Sequence, residues 1–362
     1  MTSPDASYDV VVIGAGLAGL VATYELLHAG HKVLCVEARD RVGGRAFSIN
    51  SAEAGIDLGA TWFWENELRV RSMLETLGLA SFPQSLAGDA LFDTGQDGSR
   101  RLHGNPVGSP SLRFERGAHS LPIELARRLP EGSLALNEPV EAITVDGDDV
   151  QILTHRRELS AQRVVLAVPP ALAAESIEFV PVLPHDLKEL CKRTAVWMGG
   201  MIKAVAVYPG PFWRRIGLSG SAISHSGPFR EFHDHSGPGG EPAAIFGFAP
   251  CAGLPRQGTN AIAHAFNDQL VRLFGADASN PTEIHVMDWS AEPYTQPRNQ
   301  EDAGTSSYGN PLFQQPIHNR VHWASTETAT AYAGHLEGAA IAGRSAAQAI
   351  TISMDTRSMT SP

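Results

Sequence analysis

The sequence predicts an α/β fold, and three observations carry that prediction. Asp9–Glu37 reads as strand, glycine turn, helix and strand. The middle of the chain alternates strand and helix candidates with no internal repeat. Near the C-terminus a helix built largely of alanine and glycine begins around Leu336, directly after the polar run His322–Gly334. At 362 residues, the chain suits one large domain or two interleaved ones.

Taken in order, Asp9 to Ile13 is a short buried strand and Lys32 to Glu37 a second. Between them Leu17, Leu20, Val21, Tyr24, Leu27 and His28 fall on one helix face, and Gly30 ends it. Leu121 to Leu129 reads as a short helix. Val140 to Thr154 reads as two strands turning at Asp146-Gly147-Asp148. Arg163 to Val168 is a further buried strand closed by Pro169-Pro170, Ile202 to Tyr208 another strand, and Asn260 to Phe274 an amphipathic helix. Ser85 to Pro110 and Ser219 to Gly240 read as loop-rich, and the last dozen residues as a frayed tail.

Composition narrows the function. Hydrophobic residues make up 43% and charged residues 19%, as in ordinary globular proteins. A net charge of -11 without clustered Lys and Arg argues against nucleic acid or an anionic membrane surface. No apolar run is long enough to span a bilayer and MTSPDASYDV does not read as an export signal, so neither a membrane span nor export is expected. Cys35, Cys191 and Cys251 are odd in number and far apart, which fits neither a disulfide framework nor a zinc site. A cytoplasmic location is expected. His233-Asp234-His235 alternates in a polar loop without further ligands, and no metal is expected there.

Gly14, Gly16 and Gly19 form G-x-G-x-x-G, with Ala15, Leu17 and Ala18 between them. In that motif the first glycine makes the turn, the second admits a pyrophosphate close to the backbone, and the third lets helix and strand pack closely. Glu37, at the end of the second strand, is placed to accept from the adenosine ribose hydroxyls. A Rossmann-like dinucleotide site follows, with FAD and NAD both open at this point.

The next segments decide between them. ARDRVGGRAFS (Ala38–Ser48) and DLGATWFW (Asp57–Trp64) are joined near the C-terminus by ASTETA (Ala324–Ala329) and AGHLEGA (Ala333–Ala339). In this order they resemble the flavin-containing amine oxidase family, monoamine oxidase-like. The resemblance implies FAD as cofactor, contacted by the glycine turn and Glu37, by Ala38, Arg39, Gly43, Gly44 and Arg45, and by Gly59, Ala60, Thr61, Trp62 and Val140. It also implies that Ser325, Thr326 and Glu327 lie along the ribityl and pyrophosphate part, and Gly334, His335 and Leu336 along the flavin ring. The helix starting at Leu336 would aim the positive end of its dipole at the ring's N1 and C2 oxygen, which gain negative charge on reduction.

Lys203 stands alone in the apolar strand GGMIKAVAVY, so its ammonium must reach water, an acid or a cofactor. By resemblance it holds a water against flavin N5. Relatives that fix FAD covalently use a cysteine late in the chain; none follows Cys251, so noncovalent FAD is expected. Of the two aromatic rings that often flank the substrate in this family, one position holds His335, and the other falls at Ser306, Asn299 or Tyr308. Trp62 is then the substrate-facing aromatic, and His335 either accepts a proton or only packs on the flavin.

The family's long helical insertion is replaced here by Ser81 to Leu112. The resemblance thus implies a discontinuous FAD-binding domain (1–80, 113–192 and 297–362) and a smaller α+β substrate domain (81–112 and 193–296). The short insertion implies an open site, a site closed by a partner subunit in a homodimer, or a bulky substrate. The expected activity is oxidation of an amine, with hydride transfer to flavin N5, imine hydrolysis, and O2 as acceptor giving hydrogen peroxide. Lys203, His335 and Trp62 are its catalytic candidates. A desaturase or tailoring oxidase of a larger metabolite, and a flavin-binding subunit with little turnover, are the alternatives.

Overall fold

The computed structural model describes residues 7–51, 54–95, 98–254, 258–298 and 303–358. Ser7–Ile13 is a strand, Leu17–His28 a helix and Val33–Val36 a strand. The two strands pair in parallel, Val11 beside Leu34 and Ile13 beside Val36. Parallel neighbours need a crossover outside the sheet, and the helix supplies it. Both faces are therefore covered, which is why Val10, Val11 and Val12 are fully buried with no polar alternation.

Glu158–Leu166 lies parallel to the first strand on its other side, and Val321–Trp323 pairs in parallel with Glu158–Leu166. Register matters here. Ile13 sits opposite Leu166, and Leu166 opposite Trp323. Three chain segments thus leave the sheet at the same edge: the glycine turn, Ala167-Val168-Pro169, and Ala324-Ser325-Thr326. In an open parallel sheet the carboxyl ends of the strands are where ligands bind. Among the described residues, Val140–Asp146, Asp149–Thr154 and Glu178–Val180 extend this sheet, and the hairpin turns at Gly147 as expected. The strand expected from Arg163 begins earlier, at Glu158, because Leu159 and Ala161 already alternate into the core.

A second sheet runs in the order Glu283–Asp288, Met201–Tyr208, Ala243–Pro250, Glu231–Asp234, Leu218–Ser224, Asp89–Asp93, Ser99–Leu102. Two expectations are corrected here. The window 85–110 contains two strands, and the window 219–240 contains Glu231–Asp234 and most of Leu218–Ser224. Short strands flanked by Gly, Ser and Pro show too little periodicity to stand out from loop; pairing across the sheet supplies what local sequence lacks. Thr259–Phe274 covers one face of this sheet, burying Ile262, Phe266, Leu270 and Phe274 at helical spacing.

The last helix, Leu336–Ser358, continues well into the stretch expected to fray. Ile350 is fully buried and Thr351 Oγ1 lies 3.1 Å from His31 Nε2, so tertiary contacts hold that stretch. Residues 359–362 lie outside the described residues. This helix packs closely on Leu17–His28: a Cβ built on Gly343 would come within 2.1 Å of the Ala18 carbonyl oxygen. Among the described residues, no helix is long and apolar enough to cross a membrane.

Candidate active site

At the shared strand edge lies a cavity of about 990 Å³. It is lined by Gly14, Gly16, Leu17, Ala18, Glu37, Ala38, Arg39, Gly43, Gly44, Arg45, Gly59, Ala60, Thr61, Trp62, Val140, Ser325, Thr326, Gly334, His335 and Leu336. Residues from both chain ends thus face one space. Ala15, Gly19, Lys203 and Glu327 stand behind its wall.

The three glycines of the turn do different work. Gly14 has φ +99°, a conformation that L side chains rarely adopt. A Cβ on Gly19 would lie 1.9 Å from the Gly14 carbonyl oxygen, so only hydrogen fits between turn and helix. A Cβ on Gly16 would meet no protein atom within 4 Å, and Gly16 faces the cavity. The space it leaves opens to the cavity, where a ligand could approach the backbone closely. The helix that follows has no side-chain cap and no acidic residue in its own first turn, which leaves its first amides open toward the cavity. Glu37 ties this turn to the second strand: its Oε2 accepts from Ala15 N at 2.7 Å, and its Oε1 from Arg39 N at 3.0 Å. Gly43 N donates to the Ala15 carbonyl at 2.8 Å, which fixes the R-x-G-G-R stretch against the same turn.

On the other wall, the Ser325 hydroxyl is buried and finds no hydrogen-bond partner among the described residues, while Ser325 lines the cavity. An orphaned buried hydroxyl beside a cavity calls for a polar ligand group. Thr326 Oγ1 instead donates to the His335 carbonyl at 2.8 Å and accepts from Gly334 N at 3.0 Å, pinning the loop that presents His335. Glu327 is fully buried and committed to Arg45 through two bonds of 2.5 and 3.1 Å, and it accepts from Trp197 N at 3.2 Å. Burial alone would raise its pKa; the Arg45 charge and hydrogen bonds outweigh that and hold it below the ordinary range. Its visible role is to join the two chain ends, and its carboxylate does not line the cavity. Glu337, in the first turn of the last helix, caps the helix Leu68–Leu77 by accepting from Arg69 N and Val70 N.

Lys203 is fully buried in a strand flanked on both sides, so it is not an exposed edge lysine. Its ammonium donates to the Gly59 carbonyl at 3.0 Å and to Thr61 Oγ1, and lies 4.3 Å from the centre of the Phe246 ring. Desolvation draws its pKa down to about 7, against the pull of the nearby Asp57 carboxylate. Gly59 and Thr61 both line the cavity, so the ammonium stands one hydrogen bond behind its wall. Behind it, Asp57, Arg113 and His235 form a buried polar group whose members lie too far apart in the chain for any local pattern to announce it. His235 Nε2 accepts from Asp57 N at 2.9 Å, and burial drives its pKa far down, keeping it neutral. In the same run, Asp234 accepts from Trp213 and Arg214, and His233 pairs with Glu231.

Trp62 lines the cavity and also packs on His233 and Phe246, its indole N–H donating to Gln84 Oε1 at 3.0 Å. Neither Ser306 nor Tyr308 lines the cavity, and Tyr308 donates to the Ala195 carbonyl. Asn299 lies outside the described residues. The aromatic walls near His335 are Trp64, with ring centroids 5.1 Å apart, and Trp197, which abuts Gly334. Sequence reasoning missed both. Trp64 had a signal, since it is two residues from Trp62 in extended chain and shares its side. Trp197 sits in irregular chain and had none.

These features fit FAD: a space left at Gly16, a bare helix end, an orphaned Ser325 hydroxyl and an apolar, aromatic far end. No cysteine lines the cavity, so the fit is noncovalent with respect to sulfur. Comparison with known proteins agrees. The family of flavin containing amine oxidoreductases matches residues 17–114 and 101–351. A probable flavin-containing monoamine oxidase A of Dictyostelium discoideum is 25% identical over 440 aligned positions, covering 93% of this chain and 96% of the relative. Those positions exceed the 362 residues here, so the relative carries stretches this chain lacks. Putrescine oxidase of Kocuria rosea is 24% identical, with 94% of each chain covered. Among solved structures, cyclohexylamine oxidase from Brevibacterium oxydans superposes with a TM-score of 0.84 at 22% identity, covering 97% of this chain and all of that one, a likeness of fold. The chain belongs to the flavin-containing amine oxidoreductases and is an FAD-dependent amine oxidase.

Proposed function

We propose that the protein oxidises a small amine in the far end of this cavity and returns the electrons to O2. Bound FAD would supply the two-electron acceptor chemistry of this oxidation, with hydrolysis of the imine product and reduction of O2 to hydrogen peroxide completing the balance. The observation that carries this reading is that Trp62, Trp64, Trp197 and His335 wall the same cavity as the cofactor-binding segments. The indole faces supply an apolar surface for a substrate's carbon skeleton beside the cofactor-binding segments.

The chain's own residues would divide the work. Trp62 and Trp64 orient the substrate carbon. Lys203, through Thr61, would order a water beside the ring. Glu231 lines the cavity, and its hydrogen bond from His233 holds its pKa below the ordinary carboxylate range. An ionised carboxylate there favours a cationic substrate over an anionic one. The three cysteines are free, which supports a reducing, cytoplasmic setting. The test is anaerobic mixing with a panel of primary, secondary and di-amines while following oxidised-flavin absorbance, then admission of O2 and a peroxide assay. Bleaching by at least one amine, with peroxide on aeration, is expected. Reduction only by a substrate lacking an amine would overturn the reading in favour of a desaturase or tailoring oxidase.

A further inference from the structure

The imidazole at the cavity wall is not alone. His335 Nδ1 lies 2.6 Å from Glu67 Oε1, and Glu67 is 1% exposed. The two residues are 268 positions apart in sequence. Glu67 immediately precedes the helix Leu68–Leu77, its carboxylate turned back toward Trp64 N at 3.4 Å. An ionised carboxylate can only accept, so the imidazole Nδ1–H donates to it. With Nδ1 committed to Glu67, Nε2 is the nitrogen left for the cavity. No hydrogen bond to Nε2 forms among the described residues, and the ring lines the cavity with 38% of its side chain exposed.

The rest of the loop holds this ring in place. His335 N donates to the Tyr332 carbonyl at 3.0 Å, and Thr326 Oγ1 donates to the His335 carbonyl. Trp64 flanks the ring on one side and Tyr332 on another. A buried carboxylate behind an oriented imidazole, with the second nitrogen free at a reaction cavity, is the arrangement of a general base.

Resting on the amine reading above, we infer that His335, oriented by Glu67, accepts the proton that the substrate ammonium must lose before its carbon can be oxidised. The step is a plain proton transfer. The N–H bond of the ammonium breaks with its electron pair left on the substrate nitrogen, and an N–H bond forms at His335 Nε2. Nothing is oxidised or reduced. The imidazolium so formed faces the Glu67 carboxylate, which stabilises it. Other groups packed nearby are Glu337 on the last helix, turned onto the amides of Arg69 and Val70, the Tyr332 hydroxyl, and the Arg45 and Glu327 pair beside Trp197. His335 is the catalytic residue here and Glu67 a positioning residue.

The experiment uses holoenzyme labelled with nitrogen-15 histidine and tert-butylamine, an amine with no Cα hydrogen to lose. On binding, the His335 ring nitrogens, assigned by their absence in His335→Phe, should change from the neutral to the imidazolium pattern. In parallel, anaerobic flavin reduction by an oxidisable primary amine should slow about 100-fold in His335→Phe at neutral pH and recover as pH rises to supply free amine. Glu67→Gln should slow it less and shift its pH profile. Ring nitrogens that stay neutral with tert-butylamine bound, or a His335→Phe rate equal to wild type at every pH, would overturn the assignment. If no amine reduces wild-type flavin, the amine reading falls first and takes this step with it.

Discussion

At Lys203 the cost of burying a charge and the needs of the cavity meet in one side chain. The strand Met201–Tyr208 is paired on both sides and the face that carries Lys203 is covered, so the fully buried ammonium does not reach water. It is tolerated because the Gly59 carbonyl, Thr61 Oγ1 and the Phe246 ring surround it and Asp57 offsets its charge. That the lysine is isolated in an apolar strand was legible in the sequence. Its partners were not, because Gly59, Thr61, Asp57 and Phe246 come from two distant stretches that only the fold brings together. Lys203→Met keeps most of the side-chain volume and removes the charge. Stopped-flow absorbance should show FAD retained while flavin reduction or reoxidation slows by at least about tenfold, some 1.4 kcal/mol in the barrier. Rates equal to wild type would leave Lys203 a purely structural residue.

Between elements, glycine identity hides two opposite roles. Gly16 faces open space in the cavity, and its φ of -67° is compatible with any side chain. Gly343 faces the Ala18 carbonyl oxygen of the neighbouring helix, with room for hydrogen only. Gly16→Val should therefore leave the melting temperature of cofactor-free protein nearly unchanged and abolish tight FAD binding by fluorescence titration. Gly343→Val should do the reverse in order: it forces the two helices apart, lowering stability by about 1–3 kcal/mol in denaturant melts, with weaker FAD binding as a consequence. Equal effects of the two on apo stability would contradict this division. The small-residue stripe was visible in the sequence as a close-packing face. The partner it packs on was not, because periodicity gives a face and not what covers it.

For the whole molecule, one cavity is built from both chain ends, and the pair Arg45 and Glu327 closes it from behind. A ligand seated there contacts segments that are hundreds of residues apart and binds the native state alone. FAD in excess should then raise apparent stability by about 2.7 kcal/mol at 100 times its dissociation constant, seen as a higher melting temperature that climbs with FAD concentration. A melting temperature indifferent to added FAD would mean that the cavity does not hold it.

The sequence by itself determined the glycine turn and the helix after it, the acid at position 37, the polar segment before Leu336 and the lone lysine. These are local facts, written in residue type and short spacing, and the motif order that marks the family is local in the same way. Tertiary structure alone decided that Ile13, Leu166 and Trp323 stand in register, which sends three loops to one edge. It also decided that Glu67 meets His335, that Trp197 closes the far wall, and that the stretches read as loop pair into a second sheet. Contacts between residues far apart in the chain depend on how strands align and helices dock, and no window of neighbouring residues contains that information.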